Sequence, residues 1–329
     1  MSSNSAHLRL TPLPAAGKPA HQISDQRSYR TGQTVWVRGL KDILKTLDDD
    51  GKLDGLPFMP EMLPYCGRPF RVACLPNRTC VEGAGICEFT DVVFLDGLRC
   101  DGSAHDGCQR RCLLFWREAW LSDEPPEGAR HDPSGAAAAV AGLKTKQGER
   151  YFCQSTELAG ASTAVQEKSL GFRKRLGDDL DDVRLGNVRP MEFSWHLSRT
   201  ILNRVKNLAG IHTGEEVVGR LHKTKAVSLG LQTGELVEIR SRKEIEETLD
   251  VAGKNKGLLF APPMLRYCGK RFYVADRLQK MILEETGKMI QLKDTVVLDG
   301  VTCQAWGCQR SNLQFWREIW LKRVEPDPR

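Results

Sequence analysis

Three thiols and one imidazole fall in a single short stretch, Cys100-Asp101-Gly102-Ser103-Ala104-His105-Asp106-Gly107-Cys108-Gln109-Arg110-Arg111-Cys112. Cysteine thiolates and imidazole nitrogens are the usual ligands of zinc, and thiolates hold iron–sulfur clusters. Ligands close together on a glycine-softened loop fold onto one ion at little entropic cost. If the stretch is helical, Cys108 and Cys112 share a face. Cys66, in Tyr65-Cys66-Gly67, offers a fourth thiolate. The expected metal set is therefore Cys66, Cys100, Cys108 and Cys112, with His105 as a substitute ligand or as a residue that orients one. The spacing is not that of a standard zinc finger or ribbon. Two other readings stay open: thiols that merely pack in a core, and redox or disulfide chemistry.

The loop recurs because the chain is duplicated. Residues 32–121 align with residues 234–321 throughout. Thr46-Leu47-Asp48, Gly51-Lys52 and Gly55 return as Thr248-Leu249-Asp250, Gly253-Lys254 and Gly257. Tyr65-Cys66-Gly67, Leu95-Asp96-Gly97 and Phe115-Trp116-Arg117-Glu118 return as Tyr267-Cys268-Gly269, Leu298-Asp299-Gly300 and Phe315-Trp316-Arg317-Glu318. Copy two keeps Cys268, Cys303 and Cys308 as metal-ligand candidates, but Asn312 stands where Cys112 does and nothing replaces His105. Its site has decayed, or keeps an open coordination position as catalytic metals require, or is completed by Cys153 from outside both copies. Cys74, Cys80 and Cys87 belong to copy one only, with Cys74 aligned to Asp276 and Cys80 to Ile282. They lie outside the shared design and read as strand-face packing residues, with a second thiol cluster as the alternative.

The elements that must position these groups are mostly short strands. Val35-Trp36-Val37, Phe70-Arg71-Val72 and Val92-Val93-Phe94-Leu95 are β-branched or aromatic runs bounded by Gly, Asp and Pro. A short helix is expected over residues 41–47, a further helical turn before Tyr65, and a final strand over residues 115–121, where side chains alternate. The tryptophans of that strand read as core and Glu118 and Glu318 as solvent-facing.

Gly32-x-Val, a helical insertion, Met62, and then Gly67 before a strand resemble SH3-like modules such as the nitrile hydratase β subunit and the KOW domains of transcription factors. The resemblance covers roughly 50 residues of each copy and implies a fold only, because one fold hosts many functions. The stretch Leu56-Pro57-Phe58-Met59-Pro60-Glu61-Met62 and residues 100–120 are similar to a bacterial family of cysteine-rich tandem-module proteins. That likeness brings no activity with it. The expected fold class is mainly β with short helices: two tandem SH3-like small barrels joined by a partly helical region.

The expected organisation is a disordered leader (1–28), module one (29–122), a flexible Pro-, Gly- and Ala-rich linker (123–147), a connecting region (148–230) and module two (231–324). Within the connecting region, Phe193, Leu197, Ile201, Val205 and Leu208 recur at helical spacing and predict an amphipathic helix over 191–208 that packs on a barrel. Phe172-Arg173-Lys174-Arg175 followed by Asp178, Asp179, Asp181 and Asp182 reads as a solvated mixed-charge surface.

Composition narrows the function class. The chain has 329 residues, 27% charged and 40% hydrophobic, with a formal net charge of +6. No apolar run approaches the roughly 20 residues that span a bilayer, and the polar N-terminus lacks a signal-type apolar core, so a cytoplasmic protein with no membrane partner is expected. Eleven cysteines in that setting read as reduced ligands rather than disulfides. No phosphate-binding Gly loop, Gly-x-Ser-x-Gly elbow, His-Glu-x-x-His motif or dinucleotide fingerprint occurs. The reading is a zinc or iron–sulfur protein that serves a protein partner as an adaptor. A metalloenzyme or electron carrier with an open centre in copy two is the alternative. Nucleic-acid binding through KOW-like barrels comes last, because no basic stripe accompanies the shared aromatics.

Overall fold

Each copy lays down the same five strands. The computed structural model describes residues 28–126, 142–165, 172–209 and 217–325. All but the last residue of the expected leader, and most of the expected linker, lie outside them. In copy one β1 (Thr34–Val37), β2 (Pro69–Cys74), β3 (Val92–Arg99), β4 (Leu113–Arg117) and β5 (Leu121–Ser122) form an antiparallel sheet in the order β4-β3-β2-β1-β5. In copy two β6 (Leu236–Ile239), β7 (Arg271–Arg277), β8 (Thr295–Thr302), β9 (Leu313–Arg317) and β10 (Leu321–Arg323) repeat it as β9-β8-β7-β6-β10.

The connection between the last two strands explains why each sheet curls. β4 and β5 lie at opposite edges, yet only the 3-10 turn Glu118–Trp120 joins them. Five flat strands would set those edges roughly 19 Å apart, and three 3-10 residues span about 6 Å. The sheet must therefore bend into a half-barrel. Bulges between Val72 and Cys74 and between Phe94 and Arg99 supply the bend, and the second falls on the repeated Leu95-Asp96-Gly97. The tandem small-barrel expectation describes this architecture. The expected unbroken strand over 115–121 does not form, because the 3-10 turn divides it.

Inside each half-barrel Trp116 and Trp120, or Trp316 and Trp320, are fully buried. Trp120 meets Phe58 edge-on at 5.5 Å and Trp320 meets Phe260 at 5.2 Å. Their indole N–H groups donate to Thr46 and Thr248, each at 3.0 Å. Truncating any of these rings would cost about 3–5 kcal/mol. The Phe-Trp-Arg-Glu motif thus has a structural task. Arg117 donates to the carbonyls of Leu53 and Asp54, and Arg317 to those of Asn255 and Lys256, pinning the preceding tight turn in each copy. Glu318 is buried rather than solvent-facing, because the Leu229 and Gly230 N–H groups donate to it.

Helices α1 (Leu40–Leu44), α2 (Gln154–Glu157), α3 (Phe172–Arg184), α4 (Pro190–Leu208) and α5 (Arg242–Glu246) complete the description. The acidic face of α3 is not a solvated surface. Asp178, Asp179 and Asp182 surround the Arg78 guanidinium at 3.6, 2.9 and 3.2 Å, and Asp182 is buried. Helix α4 forms where helical spacing predicted it. Of the expected stripe, Phe193 and Leu197 are half-buried, while Ile201 and Val205 are exposed together with Met191, Trp195 and Leu202; His196 stacks on Trp306 at 3.7 Å. No helix among the described residues is long and apolar enough to cross a membrane.

Candidate thiol site

The loop of residues 100–112 joins β3 to β4 and is built from turns, not a helix. Cys108 and Cys112 therefore do not share a helical face. The Cys100 N–H donates to the Cys112 carbonyl at 2.8 Å, which closes the base of the loop. At its top the His105 and Gly107 N–H groups both donate to the Gly102 carbonyl, at 3.0 and 2.9 Å. Gly102 has φ +73°, and a Cβ there would lie 2.1 Å from the Cys108 carbonyl oxygen, so only glycine lets the two limbs approach.

A fourth thiol arrives from the connecting region. Cys153 stands at the N-terminus of α2, and the next residue, Gln154, clamps that helix to the edge of copy one. The Phe115 N–H donates to Gln154 Oε1 at 2.8 Å, and Gln154 Nε2 donates to the Phe115 carbonyl at 2.7 Å. This amide imitates a neighbouring strand. As a result Cys100, Cys108, Cys112 and Cys153 line one cavity of about 30 Å³, with Met59 and His105 beside them. That volume holds one or two water-sized particles. Burial pushes the Cys153 thiol up to about 12, and it raises Cys100 and Cys108 as well. Negative charge on Cys112 would add to all three shifts, as neighbouring sulfurs must.

Two members of the expected set are placed elsewhere. Cys66 ends the 3-10 turn Pro60–Tyr65, is buried in the copy-one core and is not among the cavity's lining residues. Both nitrogens of His105 are already engaged: Nδ1 lies 2.6 Å from Glu61 Oε1, and Nε2 lies 3.0 Å from the Phe152 carbonyl oxygen. A ring so held cannot also ligate a metal. It braces the loop against α2 instead. Among the described residues no three His, Cys, Asp or Glu side chains are already drawn into a metal-holding group.

Copy two differs. The Cys303 N–H donates to the Asn312 carbonyl at 2.6 Å, repeating the closure of the loop without the third thiol. Cys268 packs against the copy-two core. Cys153 does not complete this site, since it lines the cavity in copy one. The partner of Cys308 is instead Cys80 of copy one, with the two Sγ atoms 3.4 Å apart.

That contact belongs to an exchange of arms. Each copy extends a hairpin, strands Arg78–Val81 and Gly85–Glu88 in copy one and Lys280–Ile282 and Met289–Gln291 in copy two. Each hairpin lies on the thiol loop of the other copy. Ile282 N–H donates to Cys108 Sγ at 3.3 Å, and Arg110 donates to the Ile282 carbonyl at 3.2 Å. At the equivalent place Arg310 donates to the Cys80 carbonyl at 3.0 Å. Where the arms meet, Glu284 accepts from Arg110 at 3.0 Å, from Arg310 at 2.7 and 3.0 Å, from Ser155 at 2.9 Å and from the Glu82 N–H at 3.0 Å.

No family model, curated protein or solved structure matches the chain. Sequence reasoning missed three participants: Cys80, the Arg310–Glu284 pair and Gln154. Cys108-Gln109-Arg110 recurs as Cys308-Gln309-Arg310, and the alignment of Glu82 with Glu284 is the signal for the partners of the two arginines.

Proposed function

We propose that the chain is a metal-binding scaffold whose copy-one loop holds zinc or an iron–sulfur centre through Cys100, Cys108, Cys112 and Cys153. The observation that carries this reading is that these four thiols line one small cavity. Rotation about χ1 swings a cysteine sulfur between staggered positions without moving the backbone, so sulfurs lining one cavity can close on an ion. A tetrathiolate centre is anionic. Arg110 and Arg310 lie within electrostatic reach of Cys112, and both guanidiniums are held more firmly protonated by Cys112 and Glu284 although burial opposes it. The cavity suits a single ion better than a larger cluster, which makes zinc the first metal to seek. Metal uptake must displace protons from thiols that burial has raised, so it weakens as pH falls.

The scaffold reading follows from what surrounds the centre. The shared tryptophans are buried and so offer no stacking platform. The exposed apolar side chains of α4 are the kind of surface that takes a protein partner. Elemental analysis with a visible spectrum, on protein purified without oxygen, tests the centre. About one zinc per chain is expected, lost in Cys112→Ser and Cys153→Ser and kept in Cys66→Ser. Iron with broad visible absorption in the same variant pattern would identify a cluster. Metal-free protein, or metal that survives Cys112→Ser together with Cys153→Ser, overturns the reading.

A further inference from the structure

We propose that Cys80 and Cys308 form a redox-modification site, which a small peroxide converts to a disulfide stapling the arm of copy one to the thiol loop of copy two. Both thiols are free and partly buried, and their sulfurs are 3.4 Å apart, at van der Waals contact. The placement is a fixture of the fold: at the equivalent position in the other half, Ile282 holds Cys108 through its backbone N–H. Only in the copy-two loop does the arm bring a second sulfur. Arg310 anchors that arm by its bond to the Cys80 carbonyl. The approach of the two sulfurs therefore does not depend on a mobile side chain alone.

The surroundings assign the roles. The Cys308 sulfur accepts from the backbone N–H groups of Cys80 and Arg310, touches the Cys80 sulfur, and has the Thr79 hydroxyl 3.7 Å away. Contact with Cys80 first, and then these N–H groups, outweigh burial and pull Cys308 below the usual thiol range, whereas Cys80, with no such donors, is raised by the same contact and by burial. Cys308 is therefore the thiolate and Cys80 the resolving thiol. The Cys308 sulfur attacks one peroxide oxygen and breaks the O–O bond, giving a sulfenic acid and hydroxide, which leaves as water once protonated. The Cys80 sulfur then attacks the Cys308 sulfur, and the S–O bond breaks as the hydroxyl leaves with the Cys80 proton as a second water. Two thiols and one peroxide yield one disulfide and two waters; each sulfur loses one electron and the two peroxide oxygens gain both.

The test uses the full chain, reduced and then treated with a few equivalents of hydrogen peroxide. Peptide mapping without reductant should recover residues 79–99 joined to residues 294–310, and the eleven thiols titrated after denaturation should fall by two. Chain closed between Cys80 and Cys308 should run faster on a non-reducing gel and revert with dithiothreitol. The link should vanish in Cys80→Ser and in Cys308→Ala, and persist in Cys87→Ser and Cys303→Ser. The wild-type map needs no variant, so a folding defect in either substitution does not blunt the result. A wild-type map without this link, or one unchanged in Cys80→Ser, overturns the proposal. Metal content reads the copy-one centre separately, so the two proposals fail independently.

Discussion

Arg310 grips Glu284 through both terminal guanidinium nitrogens, at 2.7 and 3.0 Å, where neither side chain is exposed by more than 2%. The same carboxylate accepts from Arg110, so one buried negative charge serves a guanidinium from each copy. Removing one partner of a buried pair strands the other, which costs about 3–5 kcal/mol. Glu284→Ala should therefore lower stability by about that amount in urea unfolding. Burial disfavours the carboxylate, but Arg310 outweighs it and holds the Glu284 pKa below its ordinary value. This contribution is present above the unfolded pKa of about 4.3 and is lost as pH falls through the folded one. Wild type and Glu284→Ala should converge in stability as the solution is acidified.

His105 and Glu61 carry the opposite sign. A carbonyl oxygen only accepts, so His105 Nε2 facing the Phe152 carbonyl bears a hydrogen, and Nδ1 facing the Glu61 carboxylate bears the other. Burial opposes that charge, yet the bond to Glu61 outweighs it and raises the His105 pKa. The stability it contributes is full below the unfolded value of about 6.5 and is lost as pH rises through the folded value. His105→Gln should cost about 1–3 kcal/mol below neutrality. The gap from wild type should narrow in alkaline solution. A gap that widens with pH would refute the imidazolium.

Gly102 sets the loop's backbone. Its φ of +73° and the 2.1 Å approach of a Cβ to the Cys108 carbonyl mean that Gly102→Ala must move Cys108 or open the turn. A loss of more than about 1 kcal/mol is expected from the backbone alone. The thiols should also become accessible, with Cys108 and Cys112 reacting faster with an alkylating reagent under native conditions. Stability and reactivity equal to wild type would show that the loop tolerates a different path.

The duplication, the barrel strands and the thiol loop were legible because each is local: β-branched runs, glycine-marked turns and clustered cysteines announce themselves within a few residues. What the alignment of the copies could not convey is which copy a residue faces. The alignment puts Cys80 outside the shared design because Ile282 is its counterpart, yet both occupy the same place against the opposite loop. Cys66 looked equivalent to the loop cysteines by recurrence, whereas the backbone turns it into the core. Asp178, Asp179 and Asp182 looked solvated because their partner, Arg78, is distant in sequence. Helix α4 formed as its periodicity required, but periodicity does not say whether the apolar stripe is covered.

Gln154 offers the sharpest measurement of how the connecting region holds the thiols in place. β4 is an edge strand, so its outward N–H and C=O groups need partners that a missing strand would have supplied. Gln154 satisfies both at Phe115 and also donates to the Pro57 carbonyl at 3.1 Å. Gln154→Ala leaves these groups buried and unpaired, at about 1–3 kcal/mol for each that water cannot reach. Gln154→Met fills the space but restores no hydrogen bond, so it should recover little of the loss. Both variants should release α2 and expose Cys153 to thiol reagents that the wild type excludes. A change below about 0.5 kcal/mol with Cys153 still protected would mean that water replaces the amide and that the rest of α2 positions the thiol by itself.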